Sequence, residues 1–446
     1  MRVASRVLVI GGGAAGMSAA SAARRTDPSA TITVLEHGTF PSYGLCGIPY
    51  YLGGVIPRGE DLIAYPAEEF ISRRRIDLQL GTAATGVDLS RRTVLTATGA
   101  TLDFDSLVLA AGAVPIVPPI SGVDDPRVVT VRRLEDAIAL HSRLGNVRRA
   151  VVVGAGYVGL EMAEALCERG IEVTIVDRLP RVLTTVDETV AALAQEEAGR
   201  HCSLRLGTGL VGLHPEPEFV RVELEDGEVL ADLVVLALGV RPSTSLVPEL
   251  AALPNGALLV DHQMRTSHEA VWAAGDCVAL HHLVLAGPAY VPLGPAANKA
   301  GRVAGIEAAG GHASFPGIVG TAVVKVFDLT VAHTGLTLAQ AQSAGMAAQA
   351  TEITAKSRAK YYPGAEPLRV RLVHTPDGLL LGGQLAGKDG AAQRIDVVAA
   401  ALHARMTIDD LADLDLAYAP PFSPVYDPLT QAAQSAQFAR AKQEAR

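Results

Sequence analysis

The chain has 446 residues, 49% of them hydrophobic, and a formal net charge of −9. This length exceeds what one hydrophobic core normally serves, so we expect two or three domains. A negative charge without a long basic run argues against nucleic acid and anionic membrane surfaces as partners, and the longest apolar runs are about half a membrane span. The N-terminus runs into a strand with no cleavage-site pattern, which predicts a cytoplasmic protein.

The first motif lies in RVLVIGGGAAGMSAASAARR (residues 6–25). An apolar strand, a glycine turn and an alanine-rich helix follow one another, and Gly11, Gly13 and Gly16 have the spacing GxGxxG. Such glycines permit the turn, the approach of a pyrophosphate and the packing of helix on strand, with the phosphate at the positive helix end. The next strand ends in Glu36, which is placed to bind a ribose hydroxyl pair. Together these features predict a dinucleotide site.

The segment SYGLCGIPYYLGG (residues 42–54) carries Cys46 between glycines. It predicts a reactive thiol at the start of a short helix, whose dipole and free N–H groups would stabilise a thiolate. Pro49 fits the first turn of such a helix, and Gly53-Gly54 would end it. No second cysteine lies close by in the sequence. The remaining cysteines have no CxxC spacing, which excludes a disulfide framework or a zinc site, and we predict that they fill apolar cores: Cys167, Cys202 and Cys277.

The nucleotide pattern recurs in RAVVVGAGYVGLEMAEALCERGIEVTIVDR. Gly154, Gly156 and Gly159 repeat the glycine spacing, and Asp177 ends the second strand. Two complete units imply two dinucleotides, hence transfer of a hydride from nicotinamide to flavin and of electrons onward. Asp177 favours a free 2′-hydroxyl and therefore NADH. Arg178 directly after it would accept a 2′-phosphate, so NADPH stays open.

Further segments resemble the FAD- and NAD(P)-dependent pyridine nucleotide-disulfide oxidoreductases essentially end to end. DFDSLVLAAGAVP (103–115) is similar to the family strand that leads into a flavin-binding turn, and VWAAGDCVAL (271–280) is similar to the strand whose end reaches the flavin side chain. The resemblance implies an α/β fold with two Rossmann-like domains and a C-terminal α+β dimerisation domain. It adds these residues to the two cofactor sites: Ala15, Ala111, Gly112, Arg132, Gly275 and Asp276 for FAD, and Gly239 for NAD(P)H.

The resemblance also implies how the chain is divided. The FAD domain would be discontinuous, formed by residues 1–115 and 248–320, with the NAD(P)H domain at residues 116–247 between its two parts. Residues 321–446 would form the interface domain of a homodimer.

Within the family, the motifs are similar to the single-cysteine branch typified by coenzyme A disulfide reductase. SYGLCGIPYY has its pattern SxxxCGxPYY, and KYYPGAEPL (360–368) and DLDLAYAPPFSPVYDPL (413–429) resemble its two tyrosine-bearing motifs. The branch implies that NAD(P)H reduces FAD and that Cys46 forms a mixed disulfide with coenzyme A or a related thiol. Tyr361 and Tyr418 of the other protomer would donate hydrogen bonds to the leaving sulfur.

Coenzyme A carries phosphates, so its site needs cations such as arginine. The resemblance implies these substrate contacts: Ser18, Arg25, Ser42, Arg74 and Asn298. Leu45 stands where the branch often has asparagine, so another small disulfide or persulfide stays open as substrate. Two other functions also stay open. One is an NADH oxidase or peroxidase in which Cys46 cycles through sulfenic acid, and the other is a non-enzymatic flavin redox sensor.

Overall fold

Three five-stranded sheets form the framework of the computed structural model, which describes residues 5–444. The first part of the chain alternates strands with two helices. Its elements are β1 (Arg6–Ile10), α1 (Ala14–Thr26), β2 (Thr31–Leu35), α2 (Ile48–Leu52), β3 (Asp77–Gln79), β4 (Ala84–Asp88), β5 (Thr93–Thr96), β6 (Thr101–Asp103), β7 (Ser106–Leu109) and β8 (Ala113–Pro115).

The middle of the chain repeats the alternation of strand and helix and then returns to the first sheet. Its elements are β9 (Val128–Val129), α3 (Leu134–His141), β10 (Arg149–Val153), α4 (Tyr157–Cys167), β11 (Glu172–Asp177), α5 (Glu188–Gly199), β12 (Ser203–Leu206), β13 (Leu210–Pro215), β14 (Val220–Leu224), β15 (Gly227–Ala231), β16 (Leu233–Leu236), β17 (Val240–Pro242), β18 (Leu258–Leu259), β19 (Val271–Ala273), β20 (Val278–His282), β21 (Gly287–Ala289) and α6 (Gly294–Ala308).

The last part of the chain builds an antiparallel sheet with helices. Its elements are β22 (Ala322–Val326), β23 (Leu329–Gly335), α7 (Leu338–Ser343), β24 (Gln349–Lys356), β25 (Pro367–His374), β26 (Leu380–Gly387), α8 (Ala391–His403), α9 (Ile408–Ala412) and α10 (Pro428–Glu444). Among the helices described, none combines the length and the hydropathy that a membrane crossing requires.

The first two sheets are parallel and share one topology. Their strand orders are β19-β7-β1-β2-β3 and β12-β11-β10-β16-β9, so β1 and β10 are the central strands. These strands are rich in Val, Leu and Ile and buried on both faces, because helices cover a parallel sheet on each side. Each fully buried Val or Leu contributes about 1.5–3 kcal/mol. The central strands therefore belong to well-packed sheets. In this fold class, ligands bind at the carboxyl ends of such strands.

The order of strands confirms the predicted fold class of two Rossmann-like units followed by an α+β domain. β19 follows the second unit in sequence but pairs with β7 of the first sheet, so the chain re-enters its first domain. β8 and β17 pair with each other antiparallel in a separate two-stranded sheet. The third sheet, β22-β23-β26-β25-β24, is antiparallel throughout. The domain boundaries at residues 115, 247 and 320 stay predictions.

Candidate functional site

The loop between β1 and α1 has the shape of a phosphate cradle. Gly11 has φ of +106°, and a Cβ at this position would overlap the carbonyl oxygen of Ala110. A Cβ at Gly16 would overlap the carbonyl oxygen of Gly11, whereas the space beside Gly13 is open to 4 Å. No side chain caps α1 and its first turn holds no acidic residue. The free N–H groups and helix dipole therefore fit a dinucleotide pyrophosphate.

Glu36 follows β2 and lies beside this loop. Its two carboxylate oxygens accept hydrogen bonds from the backbone N–H groups of Gly12 (2.6 Å) and Gly38 (2.7 Å). Burial works against the charged form, but the hydrogen bonds from His37, Gly38 and Gly12 together hold the pKa of Glu36 below its usual value. An ionised carboxylate at this strand end has lone pairs left to accept hydrogen bonds from a ribose.

Two strand ends border the same cradle. β7 and β19 are parallel neighbours, so Ala111-Gly112 and Gly275-Asp276 emerge at one edge of the first sheet. Gly275 packs against Ala15 so closely that a Cβ at residue 275 would lie 2.9 Å from the Ala15 Cβ. Asp276 pairs with Arg132 (2.7 Å), and both side chains are largely buried. The structure thus brings the predicted residues of the first cofactor site to one edge.

The loop between β10 and α4 repeats the first cradle. Gly154 has φ of +112°, and a Cβ there would overlap the carbonyl oxygen of Ala237. Gly159 lies directly against Gly154, and the space beside Gly156 is open, as at Gly13 in the first loop. α4 also lacks a side-chain cap and an acidic first turn. A second pyrophosphate therefore fits here by the same physics.

Asp177 ends β11 in the place that corresponds to Glu36. Its carboxylate accepts hydrogen bonds from the N–H groups of Ala155 (2.7 Å) and Leu179 (2.8 Å). Arg178 beside it is exposed to solvent. Gly239 lies across the sheet edge, with φ of +92° and its carbonyl oxygen accepting from the N–H of Ile116 (2.9 Å).

Cys46 lies in the single helical turn Leu45–Gly47, which continues into α2. The predicted short helix with proline in its first turn is confirmed, and it ends at Gly53. Ser42, with φ of +50°, donates its backbone N–H to the carbonyl oxygen of Gly12 (2.9 Å). This bond ties the Cys46 segment to the first cradle. The free thiol of Cys46 is exposed to solvent.

The charges around Cys46 do not favour its thiolate. Partial burial of the sulfur raises the pKa of Cys46, and the carboxylates of Glu161 and Asp276 raise it further. Arg132 and the backbone N–H of Cys46 act in the opposite direction but are outweighed. Stabilisation of the thiolate by the helix start therefore stays a prediction, and burial of the sulfur and the two carboxylates oppose it.

Four of the five predicted substrate residues lie on α1 or beside it. The hydroxyl of Ser18 donates to the Asn298 side-chain oxygen (2.8 Å), which joins α1 to α6. One turn further along α1, Arg74 donates to the hydroxyl of Ser21 (2.7 Å). Arg25 follows on the same face near the end of the helix and is exposed.

Arg74 is held in place more firmly than a surface arginine. Its guanidinium lies over the rings of Phe70 and Tyr65, at 4.7 and 5.0 Å from their centroids, and pairs with Glu69 (3.4 Å). Such stacking contributes about 0.5–2 kcal/mol and orients the planar donor group. Arg74 and Arg25 therefore present two cations beside the helix that begins at the first cradle.

The two predicted catalytic tyrosines lie together in the last part of the chain. The hydroxyl groups of Tyr361 and Tyr418 are 3.3 Å apart, and this hydrogen bond raises the pKa of Tyr418. Tyr361 is 75% exposed and Tyr418 is 46% exposed. Phe422 and Tyr426, which follow Tyr418 in the sequence, are exposed as well. Within residues 5–444, neither phenol is hydrogen-bonded to Cys46 of the same chain.

Comparison with known proteins agrees with this arrangement. The family described as pyridine nucleotide-disulphide oxidoreductase matches residues 5–309, and the dimerisation domain of that family matches residues 321–429. The chain belongs to the pyridine nucleotide-disulphide oxidoreductases. The resemblance predicted from the motifs is thereby confirmed.

Relatives within the family act on sulfur compounds or on oxygen, by their names. The chain is 39% identical over 445 residues to the NAD(P)H sulfur oxidoreductase (CoA-dependent) of Pyrococcus abyssi, covering 98% of this chain and 99% of the relative. It superposes with a TM-score of 0.94 on the NAD-dependent persulfide reductase from A. fulgidus, at 39% identity, covering 98% and 84% of the two chains. The water-forming NADH oxidase from Lactobacillus brevis gives 0.95 at 30% identity, covering 99% and 100%.

Membership of the family and the two glycine cradles support binding of FAD and of NAD(P)H by this oxidoreductase. In each cradle the open space lies at the uncapped start of a helix, and a carboxylate stands at the end of the neighbouring strand. The residues present therefore fit two dinucleotides.

Glu161 on α4 was missed by the motif analysis. Burial and then the charge of Glu164 raise its pKa to about 7, and its carboxylate is one of the two that act on Cys46. Glu164 pairs with Lys325 and accepts the backbone N–H of Phe327 (2.7 Å). The segment EMAE, two residues after the third glycine, indicates two acids one turn apart, but no local pattern shows which face of α4 meets Cys46.

Proposed function

We propose that this chain is an FAD-dependent NAD(P)H:disulfide oxidoreductase that reduces coenzyme A disulfide, or a related small disulfide or persulfide, through Cys46. One observation carries the proposal. The exposed thiol of Cys46 lies on a short turn that Ser42 ties to the first glycine cradle, so a sulfur stands at the mouth of a dinucleotide site. The CoA-dependent sulfur oxidoreductase that is 39% identical to the chain supports the substrate class.

The first cradle would hold FAD and the second NAD(P)H. FAD, when bound, would carry two electrons from the nicotinamide to the sulfur. Glu36 would bind the ribose of FAD, and Asp177 would bind the ribose of NADH, because a carboxylate accepts hydrogen bonds from the ribose hydroxyls and repels a 2′-phosphate. The remaining residues proposed for FAD are Gly11, Gly13, Ala15, Gly16, Ala111, Gly112, Arg132, Gly275 and Asp276, and those for NAD(P)H are Gly154, Gly156, Gly159 and Gly239.

Cys46 performs the sulfur chemistry. Its thiolate attacks one sulfur of the substrate disulfide, the substrate S–S bond breaks, and one thiolate leaves and takes up a proton. The product is a mixed disulfide between Cys46 and the other half of the substrate. Two electrons and one proton then convert this mixed disulfide into a free thiol and the Cys46 thiolate. The substrate thus supplies the second sulfur that the segment around Cys46 lacks.

A second subunit would complete the site. The match to the dimerisation domain supports a homodimer, in which Tyr361 and Tyr418 of one subunit face Cys46 of the other. Their paired hydroxyl groups and high exposure in a single chain suit a surface that another subunit covers. A phenol whose pKa is raised keeps its proton near neutral pH and donates a hydrogen bond to the departing sulfur.

Coenzyme A would lie along α1. Arg74, whose guanidinium is oriented by two aromatic rings, and Arg25 supply cations for its phosphates. The paired side chains of Ser18 and Asn298 lie on the same face of α1. Ser42, four residues before Cys46, would be a further contact.

Mass spectrometry of the purified protein under non-reducing conditions tests this function. We expect an adduct of the mass of coenzyme A on the peptide that contains Cys46, which a small dithiol removes. Cys46→Ser should lack the adduct and lose at least about 1,000-fold in NADH-driven turnover of coenzyme A disulfide, because the attacking nucleophile is gone. Leu45→Ala is the matched control and should keep the adduct.

An NADH oxidase is the second candidate, favoured by the superposition on the water-forming enzyme. Sulfenic or sulfinic acid on Cys46 without any adduct, together with oxygen-dependent NADH consumption above the turnover of coenzyme A disulfide, would contradict the reductase and support the oxidase.

A further inference from the structure

Two cysteines outside the Cys46 site face each other in the second dinucleotide unit. Cys167 is the last residue of α4, and Cys202 lies between α5 and β12. Their Sγ atoms are 3.5 Å apart although 35 positions separate them in sequence. Both cysteines pack in or against the core as predicted from the sequence. Their contact could not be predicted, because only the fold brings the end of α4 next to the segment between α5 and β12.

The two sulfurs differ in access and in acidity. Cys167 is partly exposed beside the exposed residue Glu168, whereas Cys202 is 8% exposed. The hydrogen bond between the thiols lowers the pKa of Cys167, and the same bond together with burial raises the pKa of Cys202. A thiolate is the nucleophile in disulfide exchange. Cys167 is thus suited to attack an external disulfide, and the Cys202 sulfur, 3.5 Å away, lies within reach of the resulting mixed disulfide.

We propose that Cys167 and Cys202 form a second thiol–disulfide site, which is oxidised by small disulfides independently of Cys46. The Cys167 thiolate attacks a disulfide RSSR, forms a mixed disulfide and releases RS⁻. Cys202 then attacks the Cys167 sulfur, forms the Cys167–Cys202 bond and releases the second RS⁻. Two protein thiols are oxidised, one external disulfide is reduced to two thiols, and the two cysteine protons end on those thiols. The sulfurs need to approach by about 1.5 Å to reach bonding distance, which is about 2.05 Å.

The cross-link would brace the second dinucleotide unit. α4 begins at the second glycine loop, next to Gly156, and ends at Cys167. β12 starts directly after Cys202 and pairs with β11, where Leu206 lies opposite Asp177. The disulfide would therefore join two elements that both lead to the nucleotide loop. It would also restrict the unfolded chain, which stabilises the folded one.

Oxidised glutathione is the probe for this site, used on the full-length flavin-loaded Cys46→Ser protein. After incubation, free thiols are alkylated and the protein is digested without reduction. We expect a cross-linked peptide pair containing Cys167 and Cys202, with the loss of two hydrogen atoms and no retained glutathione. Cys277 is 1% exposed, and its sulfur lies within hydrogen-bond distance of the carbonyl oxygens of Leu109 and Ala274. It is the internal control and should stay a free thiol.

Two further variants in the Cys46→Ser background test the order of attack. Cys202→Ser should keep one glutathione on Cys167, because the resolving sulfur is gone, while Cys167→Ser should take up none on buried Cys202. Free thiols at both positions in the parent protein, or a cross-link that forms only after unfolding, would overturn the proposal.

Thermal unfolding of the oxidised and reduced Cys46→Ser protein tests the cross-link without substitution of Cys167 or Cys202. We expect a higher unfolding temperature for the oxidised form, and equal temperatures would also count against the cross-link. Since Cys46 is absent throughout, failure of the proposed coenzyme A chemistry leaves these outcomes unchanged.

Discussion

The two glycine loops have similar backbone angles and differ in the side chains that lie beside their helices. Gly13 and Gly156 begin α1 and α4 in the same extended conformation, with open space beside each. Five residues later, α1 carries Ser18, bonded to Asn298, whereas α4 carries Glu161, whose charge acts on Cys46. The repeat thus conserves the phosphate cradle and varies the helix face next to it.

The same contrast continues one turn further along each helix. Ser21 on α1 accepts a hydrogen bond from the partly exposed Arg74, whereas the largely buried carboxylate of Glu164 on α4 pairs with the exposed Lys325. The helix from the first cradle therefore faces outward with groups suited to anions. The helix from the second cradle faces the sulfur site with acids. The cradle accounts for nucleotide binding, and the neighbours of its helix account for the chemistry.

Aspartate placed in either cradle should separate the roles of the two loops and give the largest effect. Gly13→Asp and Gly156→Asp both suit the backbone, and an added Cβ at either position meets no atom within 4 Å. Aspartate is also a favoured helix cap, so both variants should fold. The added negative charge should weaken binding of the pyrophosphate by several kcal/mol. This corresponds to a loss of at least about 100-fold in affinity. Gly13→Asp should purify without flavin, and Gly156→Asp should keep flavin but show a raised KM for NADH.

Flavin absorbance and steady-state kinetics measure these outcomes. Gly13→Asn and Gly156→Asn are the matched neutral controls and should weaken binding far less. Loss of flavin from Gly156→Asp with retention in Gly13→Asp would reverse the assignment of the two cofactors.

Asp177→Ser should alter the choice of nicotinamide cofactor by a smaller factor. Removing a charged acceptor of the ribose hydroxyls costs about 1.5–3 kcal/mol, so we expect the KM for NADH to rise about tenfold or more while the KM for NADPH changes little or falls. Arg178→Ala is the companion variant and should weaken NADPH only. Unchanged kinetics with both cofactors in both variants would place the ribose elsewhere.

Glu161→Gln should give the smallest effect and test the contact between α4 and the sulfur. The pKa of Glu161 is about 7, so its charge is mostly present at pH 8 and mostly absent at pH 6. The charge of Glu161 raises the pKa of Cys46. Glu161→Gln should therefore increase the thiolate fraction of Cys46 and speed its alkylation about threefold at pH 8 and hardly at pH 6. Glu168→Gln, an exposed acid on the adjoining turn, should change neither rate. Equal acceleration at both pH values would contradict a charge effect.

Local patterns were sufficient to predict the parts of the molecule that depend on neighbours in sequence. The glycine spacings, the acids at the strand ends and Pro49 in the turn after Cys46 each reflect backbone geometry over a few residues. The long tyrosine motifs indicated the family and its third domain, which the comparisons confirmed. Individual roles for the site residues stay predictions that the experiments above address.

The sequence by itself determined the two nucleotide units, the α/β class and the sulfur on which the proposed chemistry rests. Only the tertiary structure decided which side chains surround that sulfur and which cysteines meet. Glu161 and Asp276 reach Cys46 from different elements, and Cys167 meets Cys202 across 35 positions. Electrostatic effects and sulfur contacts depend on distance in space. A pattern of a few neighbouring residues does not determine the distance between side chains that are far apart in the sequence. A glycine turn can be predicted because all of its residues lie within one loop.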